Sequence, residues 1–170
     1  MVKSNEPIDQ KWSDVESQYQ RRSDLIPNLA KTVKSYADFE QETLTKVIEA
    51  RAKATQVTIN PGEMTTENMA KFQAAQAELS NSLGRLMLVV ERYPDLKANQ
   101  SYIDFQKELA GTENRINIAR KDYNKTVQPY NVRVKKFPMV ILSNIFGFDE
   151  RPYYEADEGT EKAPDVSDHL

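Results

Sequence analysis

From Ile8 onward, side chains suited to a buried face return every three or four residues: Trp12, Val15, Tyr19, Arg22, Ile26, Leu29, Val33 and Tyr36. That spacing keeps one stripe on one side of an α-helix. Beyond Glu40 the pattern continues through Leu44, Val47 or Ile48 and the alanines 50, 52 and 54. It predicts a helix from residue 8 to about 56, roughly 70 Å long at 1.5 Å per residue. A helix of this length without internal caps needs partners along its whole side, so a bundle or coiled coil is expected. Pro27 falls inside the run. It removes an amide donor and crowds the preceding turn, at a cost of about 3 kcal/mol in a continuous helix. Because the stripe resumes at Leu29 and Val33, a kink is expected there, with a break into two helices as the alternative.

The rest of the chain supplies the partners. Asn60-Pro61-Gly62 marks a turn, and the connection runs from Val57 to Thr66. Thr65 or Thr66 can cap a second helix reaching about Glu91, with Met69, Phe72, Leu79, Leu83 and Val90 on its apolar face. Gly84 lies in its middle and suggests a closely approaching neighbour. Tyr93-Pro94-Asp95 ends this helix, and Ser101, Asn99 or Asp95 can start the third. There Tyr102, Leu109, Ile116, Tyr123, Tyr130 and Phe137 recur every seven residues, with Gln106, Glu113, Arg120, Val127 and Val134 as the companion positions. Pro129 predicts a second kink. Residues 139–146 are apolar enough for a short fourth element, with Ile141, Leu142 and Ile145 facing inward. The expected fold is all-α: an antiparallel up-and-down four-helix bundle with long, kinked helices, occupying residues 1–155.

Charge separates the remainder. Residues 149–170 carry eight carboxylates against Arg151 and Lys162, a net charge of about −6, which leaves the body near +3. Residues 156–170 are therefore expected to be an acidic, disordered tail that folding does not require. A body with interspersed charges this mild gives no footprint for nucleic acid. Cysteine is absent, which excludes thiol and disulfide chemistry, and the one histidine, His169, is next to the last residue. A di-iron bundle needs Glu-x-x-His pairs that this chain does not contain. There is no phosphate loop and no serine or threonine with an identifiable base. No catalytic, metal or cofactor-binding residue can be assigned. No run approaches the 18 to 20 apolar residues of a membrane span.

Polar residues on helical faces are the informative exception. Asn117, Asn124 and Asn131 are spaced by seven, with Asn114 one turn earlier. Asparagine is a mediocre helix former, so an inner, hydrogen-bonded face is expected for at least one, with Arg22, Asn28 or backbone freed by a proline as partner. Glu113 and Arg120 sit two turns apart on the seam, too far to pair directly, and a buried charge there needs a partner such as Arg21, Arg22, Asp24 or Lys31 on a neighbouring helix. Arg21, Arg22, Asn28, Glu113, Arg120 and Asn124 thus form the candidate polar network or ligand cleft.

A family resemblance rests on many of these residues. Trp12-Ser13-Asp14-Val15-Glu16, Gln20-Arg21-Arg22-Ser23-Asp24-Leu25-Ile26-Pro27-Asn28-Leu29, Glu49-Ala50-Arg51-Ala52, Glu91-Arg92-Tyr93-Pro94-Asp95-Leu96 and Gly111-Thr112-Glu113-Asn114-Arg115-Ile116 resemble the LemA family. Tyr123-Asn124, Tyr130-Asn131, Phe137-Pro138 and Gly147-Phe148 continue the likeness to about residue 155. The resemblance implies a bacterial protein whose helical bundle follows a membrane anchor, with the extracytoplasmic side favoured. It predicts an apolar run of about 20 residues encoded before Met1. It carries over no catalytic residue. The expected role is a non-catalytic structural or protein-interaction module with an unidentified protein partner; a small-ligand binder or enzyme using the polar cleft is the alternative.

Overall fold

The computed structural model describes residues 6–36, 38–60, 63–136 and 149–155. It contains α1 (Glu6–Lys34), α2 (Gln41–Gln56), α3 (Thr66–Val90), a single turn α4 (Pro94–Lys97) and α5 (Gln100–Lys135), with no strand among the described residues. Side-chain pairs give the directions. Arg51 of α2 reaches Ser23 of α1, Lys53 of α2 reaches Glu78 of α3, and Glu40, just before α2, reaches Arg92, just past α3. Arg22 of α1 reaches Glu113 in the middle of α5, and Tyr36, just past α1, is reached by Asn99, just before α5. The molecule is thus an antiparallel up-and-down four-helix bundle of α1, α2, α3 and α5, with α1 packed most extensively on α5 and α2 on α3.

The single long first helix expected from periodicity is two helices, and the division is not at Pro27. Pro27 leaves the Ser23 carbonyl without its usual donor four residues on. Arg51 Nε supplies one at 2.8 Å, so α1 continues through the proline. The chain turns instead at residues 35–40. Ser35 and Tyr36 amides bond three residues back rather than four, and the Ser35 hydroxyl takes the Thr32 carbonyl as well. Reversal here buries Phe39 against Tyr93 and folds Leu44, Val47, Ala50 and Ala54 into the core. A straight continuation would leave that second stripe in water, at roughly 1.5–3 kcal/mol per large side chain. The sequence trace of this turn is Glu40, a charge where the stripe calls for an apolar residue.

Other ends follow local chemistry. Thr65 accepts from the Asn68 amide at the start of α3, and Asn99 accepts from Ser101 and Tyr102 at the start of α5. Gly84 departs from expectation: a Cβ built on it meets no atom within 4 Å, so no neighbouring helix requires the glycine. The seam of α5 also differs. Phe105, Thr112 and Ala119 are buried beside the heptad residues, whereas Gln106, Glu113 and Arg120 are only half-buried; from Val127 onward the companion moves to Val127 and Val134. An α-helix of 3.6 residues per turn drifts against a seven-residue repeat, so one companion row serves the first half and the next row the second. The apolar segment at 139–148, the expected fourth element, lies outside the described residues, as does the tail at 156–170.

The core divides in two. One cluster is mainly aliphatic: Ile26, Leu29, Val33, Leu44, Val47, Leu79, Leu83, Leu86, Val90 and Leu109, with Phe39, Tyr102 and Phe105. The other is rich in aromatic rings: Trp12, Tyr19, Phe72, Tyr123, Tyr130 and Tyr154 among Ile8, Val15, Ile59, Met64, Met69 and Ile116. Between them lies a layer of buried polar residues, Arg22, Ser23, Gln76 and Thr112.

Candidate functional site

That polar layer is the centre of the candidate site. Arg22 sits in the apolar register of α1 and is 2% exposed. A guanidinium at that depth persists only if its N–H groups are matched. Nη1 donates to Ser80 Oγ at 2.6 Å and to Glu113 Oε1 at 3.0 Å; Nη2 donates to the Gln76 carbonyl at 3.0 Å and to Gln76 Oε1 at 2.6 Å. Nε is buried without an acceptor among the described residues. The guanidinium also lies 4.9 Å from the centre of the Tyr19 ring. One side chain of α1 thereby ties α3 to α5 across the bundle.

Beside it opens a cavity of about 500 Å³ between α1, α3 and α5, lined by Arg22, Gln76, Ser80, Glu113, Asn117, Arg120 and Tyr154 among others. Tyr154 at its edge belongs to a short irregular strap, residues 149–155, held on α5 by a repeated pair of residues. Tyr130 donates to the Asp149 carbonyl and Tyr123 to the Pro152 carbonyl. Asn131 both donates to the Arg151 carbonyl and accepts from its amide; Asn124 does the same with Tyr154, all at 2.8 or 2.9 Å. Each asparagine side chain thus stands in for a neighbouring strand. At the end of the strap Arg120 donates to the Glu155 carbonyl at 2.7 Å and lies 4.2 Å from the centre of the Tyr154 ring. Tyr154 packs against Tyr19, the two hydroxyls sharing a hydrogen bond. Burial pushes the Tyr123 phenol well above the ordinary tyrosine range, so it remains a donor at any physiological pH.

The six residues singled out from sequence separate. Arg22, Glu113 and Arg120 line this cavity, and Asn124 anchors the tyrosine at its edge. Arg21 is exposed and borders a different, wider groove of about 820 Å³ between α1 and the connection at 54–60. In that groove burial raises the carboxyl of Glu16, although the Ile59 amide bonds to it. Asn28 is exposed on a third depression with Lys31 and Asp104, and is not part of the network. The asparagines do not pair with Arg22, Asn28 or proline-freed backbone as expected; their partners are the strap residues 151 and 154. Missed from sequence were Gln76 and Ser80 on α3 and the strap itself. Gln76 had a signal, as a polar residue in an apolar register, and so did the strap's holder, as Tyr-Asn repeated at 123–124 and 130–131.

Chemically the site is rich in hydrogen bonds and poor in reactivity. The Ser80 hydroxyl accepts from a guanidinium, which cannot serve as a base, and no cluster of metal-ligating side chains occurs among the described residues.

A model of the LemA family matches residues 11–167. Magnetosome protein MamQ 2 of Paramagnetospirillum magneticum is 28% identical, over 91% of this chain and 63% of that protein. Magnetosome protein MamQ of Magnetospirillum gryphiswaldense is 27% identical, over 85% and 59%. Protein LemA of Metamycoplasma hominis is 24% identical, over 81% and 59%. The chain therefore spans about three fifths of the length of the curated relatives it matches.

Proposed function

This chain belongs to the LemA family, and from that premise we propose that it is a non-catalytic helical platform of a membrane-anchored bacterial protein, offering its polar groove to a protein partner. The observation that carries the reading is the internal use of the polar layer. Four of the five N–H groups of Arg22 are matched by Ser80, Glu113 and Gln76, so its strongest donors hold helices together rather than waiting for a substrate. No described helix is long and apolar enough to cross a membrane; the anchor in this reading is the one that the family resemblance implies. Relatives named as magnetosome proteins fit a role as part of a larger cellular structure.

Alkaline carbonate extraction of cells expressing the full gene product tests the anchor: the product stays in the membrane pellet. Recovery in the supernatant overturns that part. A photo-crosslinking residue at Gln73 or Asn81, on the rim of the cavity, tests the partner. It yields a discrete protein adduct in cells, and the absence of any adduct at both positions refutes the interaction reading.

The cavity itself favours a second reading as a small-ligand site, since about 500 Å³ is within the range of ligand pockets. Native mass spectrometry of the purified chain separates the two: a bound small molecule lost in a Glu113→Gln, Arg120→Gln variant supports the ligand reading, and an unliganded mass supports the platform.

A further inference from the structure

Charge is unevenly placed on the bundle. α1 and α3 each carry as many carboxylates as basic side chains. From Asn114 to the end of α5 at Lys135, by contrast, six lysines and arginines stand against the one carboxylate of Asp122. Helical rotation gathers several of them. At about 100° per residue, Ile118, Lys121, Lys125 and Val132 share a sector roughly 60° wide, with Arg115 and Arg133 about 60° to one side of it. All of these side chains are exposed, Ile118 at 52% and Val132 at 45%. The strap and its asparagine ladder, Asn124 and Asn131, lie further round α5. The local company of the charges differs as well. Lys46, Lys53 and Lys71, on α2 and α3, each hold a carboxylate at 2.6 or 2.7 Å. On α5, Lys135 holds Glu150 of the strap, whereas Lys121, Lys125 and Arg133 are in no ion pair among the described residues.

We propose that this sector of α5 rests on an anionic bilayer surface, with Lys121, Lys125, Arg115 and Arg133 against lipid headgroups and Ile118 and Val132 among the upper acyl chains. Basic side chains near an anionic leaflet are drawn to it, and aliphatic ones between them gain by leaving water. Those two aliphatic side chains favour a bilayer over nucleic acid, whose phosphates reward the lysines and offer Ile118 and Val132 nothing. The formal charge of the whole chain is −3. At physiological salt, however, a Debye length of about 8 Å confines what the bilayer feels to the face lying against it. The inference deepens the platform reading by naming the side turned to the membrane, and it rests on that reading only for the nearness of a bilayer.

Sedimentation of the purified chain with unilamellar vesicles tests this without partner or anchor. A chain that ignores vesicles overturns the inference, even where the full gene product stays in the carbonate-washed membrane and the anchor reading stands. The chain is expected to bind phosphatidylcholine vesicles containing about 40% phosphatidylglycerol, to ignore phosphatidylcholine alone, and to be released by about 0.5 M salt. Lys121→Glu with Lys125→Glu lowers the partition about tenfold or more. Lys46→Glu with Lys71→Glu makes the same change in net charge at exposed positions on α2 and α3, and leaves the partition within about threefold of the parent. Circular dichroism confirms that both variants are folded. Equal losses in the two variants mean that total charge acts rather than this face, and overturn the proposal. Ile118→Ser with Val132→Ser weakens binding about threefold or more at unchanged salt dependence. A partition that ignores those two substitutions, or tighter binding to duplex DNA than to the vesicles, makes the face a general phosphate binder and overturns the proposal.

Discussion

The two halves of the bundle solve the same packing problem with different residues. In the aliphatic half all four helices are present, and leucine, valine and isoleucine fill the space between them. In the aromatic half α2 has ended at Gln56, and the missing side is closed by the connection around Ile59 and Met64 and by the strap. A helix satisfies its own interior carbonyls and amides; irregular chain does not, and each unmet group in a core is costly. The aromatic half therefore uses side chains with an apolar body and a polar tip. Trp12 donates to the Ile59 carbonyl, Tyr123 and Tyr130 to strap carbonyls, and Asn124 and Asn131 pair with strap backbone. Tyrosine is chosen where closure is irregular, and Arg22 with Gln76 marks the boundary between the regimes.

This contrast can be broken most severely at Trp12, which is fully buried and touches Phe72 and Tyr123 edge-on. Trp12→Ala is expected to cost about 3–5 kcal/mol in urea unfolding. Trp12→Phe, which keeps a ring and loses the bond to Ile59, should recover part of that loss. Full recovery would mean the polar tip contributes nothing.

Next in size is Asn131, 3% exposed and paired twice with Arg151. Asn131→Ala should cost about 1–3 kcal/mol and release the strap, read as faster chymotryptic cleavage after Tyr153. The exposed Asn114→Ala should change stability by no more than about 0.5 kcal/mol. Equal effects at both positions would remove the distinction between a ladder and a solvated stripe.

Tyr123→Phe sharpens the comparison through pH. At neutral pH it should cost about 1 kcal/mol, for the hydroxyl bonded to Pro152. Burial raises the folded phenol above its ordinary value of 10.0, so the folded state holds this proton more tightly than the unfolded chain. Its stabilisation is complete below about pH 10 and declines as pH rises beyond that. The gap between parent and variant in melting temperature should therefore narrow on going from pH 9 to pH 11, and a gap that is constant with pH would contradict the role assigned to burial.

The smallest expected effect lies in the aliphatic half. Gly84→Ala has open space for its methyl and should stabilise the protein by about 0.5–1 kcal/mol through helix propensity alone. Destabilisation would show that the helices approach more closely there than the structure has them.

Much of this was legible beforehand. The three-and-four spacing revealed nearly every residue that α1 buries, Arg22 included, and the heptad tyrosines of α5. Thr65 and Asn99 announced their helices. At Pro27 the helix continues, as the resumed stripe predicted, but the donor from Arg51 that serves the freed carbonyl, and the division at the end of α1 beyond Lys34, are encoded in no local pattern. In the candidate site, Arg22, Glu113, Arg120 and Asn124 were singled out by being polar in apolar or heptad registers, and the same logic picked Arg21 and Asn28, which face away. One residue of rotation on a helix, about 100°, separates Arg21 from Arg22, and near the edge of a stripe sequence does not resolve it.

What the sequence determined by itself is the periodicity: an all-helical chain, with caps and turns at its ends, must bury one stripe of each helix against another. What only the tertiary structure decided is which polar groups meet. The reversal at residues 35–40, the gathering of Ser80, Gln76 and Glu113 around Arg22, and the pairing of Asn124 and Asn131 with a strap twenty to thirty residues away all join groups distant along the chain. Periodicity is a property of neighbours one or two turns apart, whereas a hydrogen bond across the bundle depends on the register between helices, which is set only when they pack.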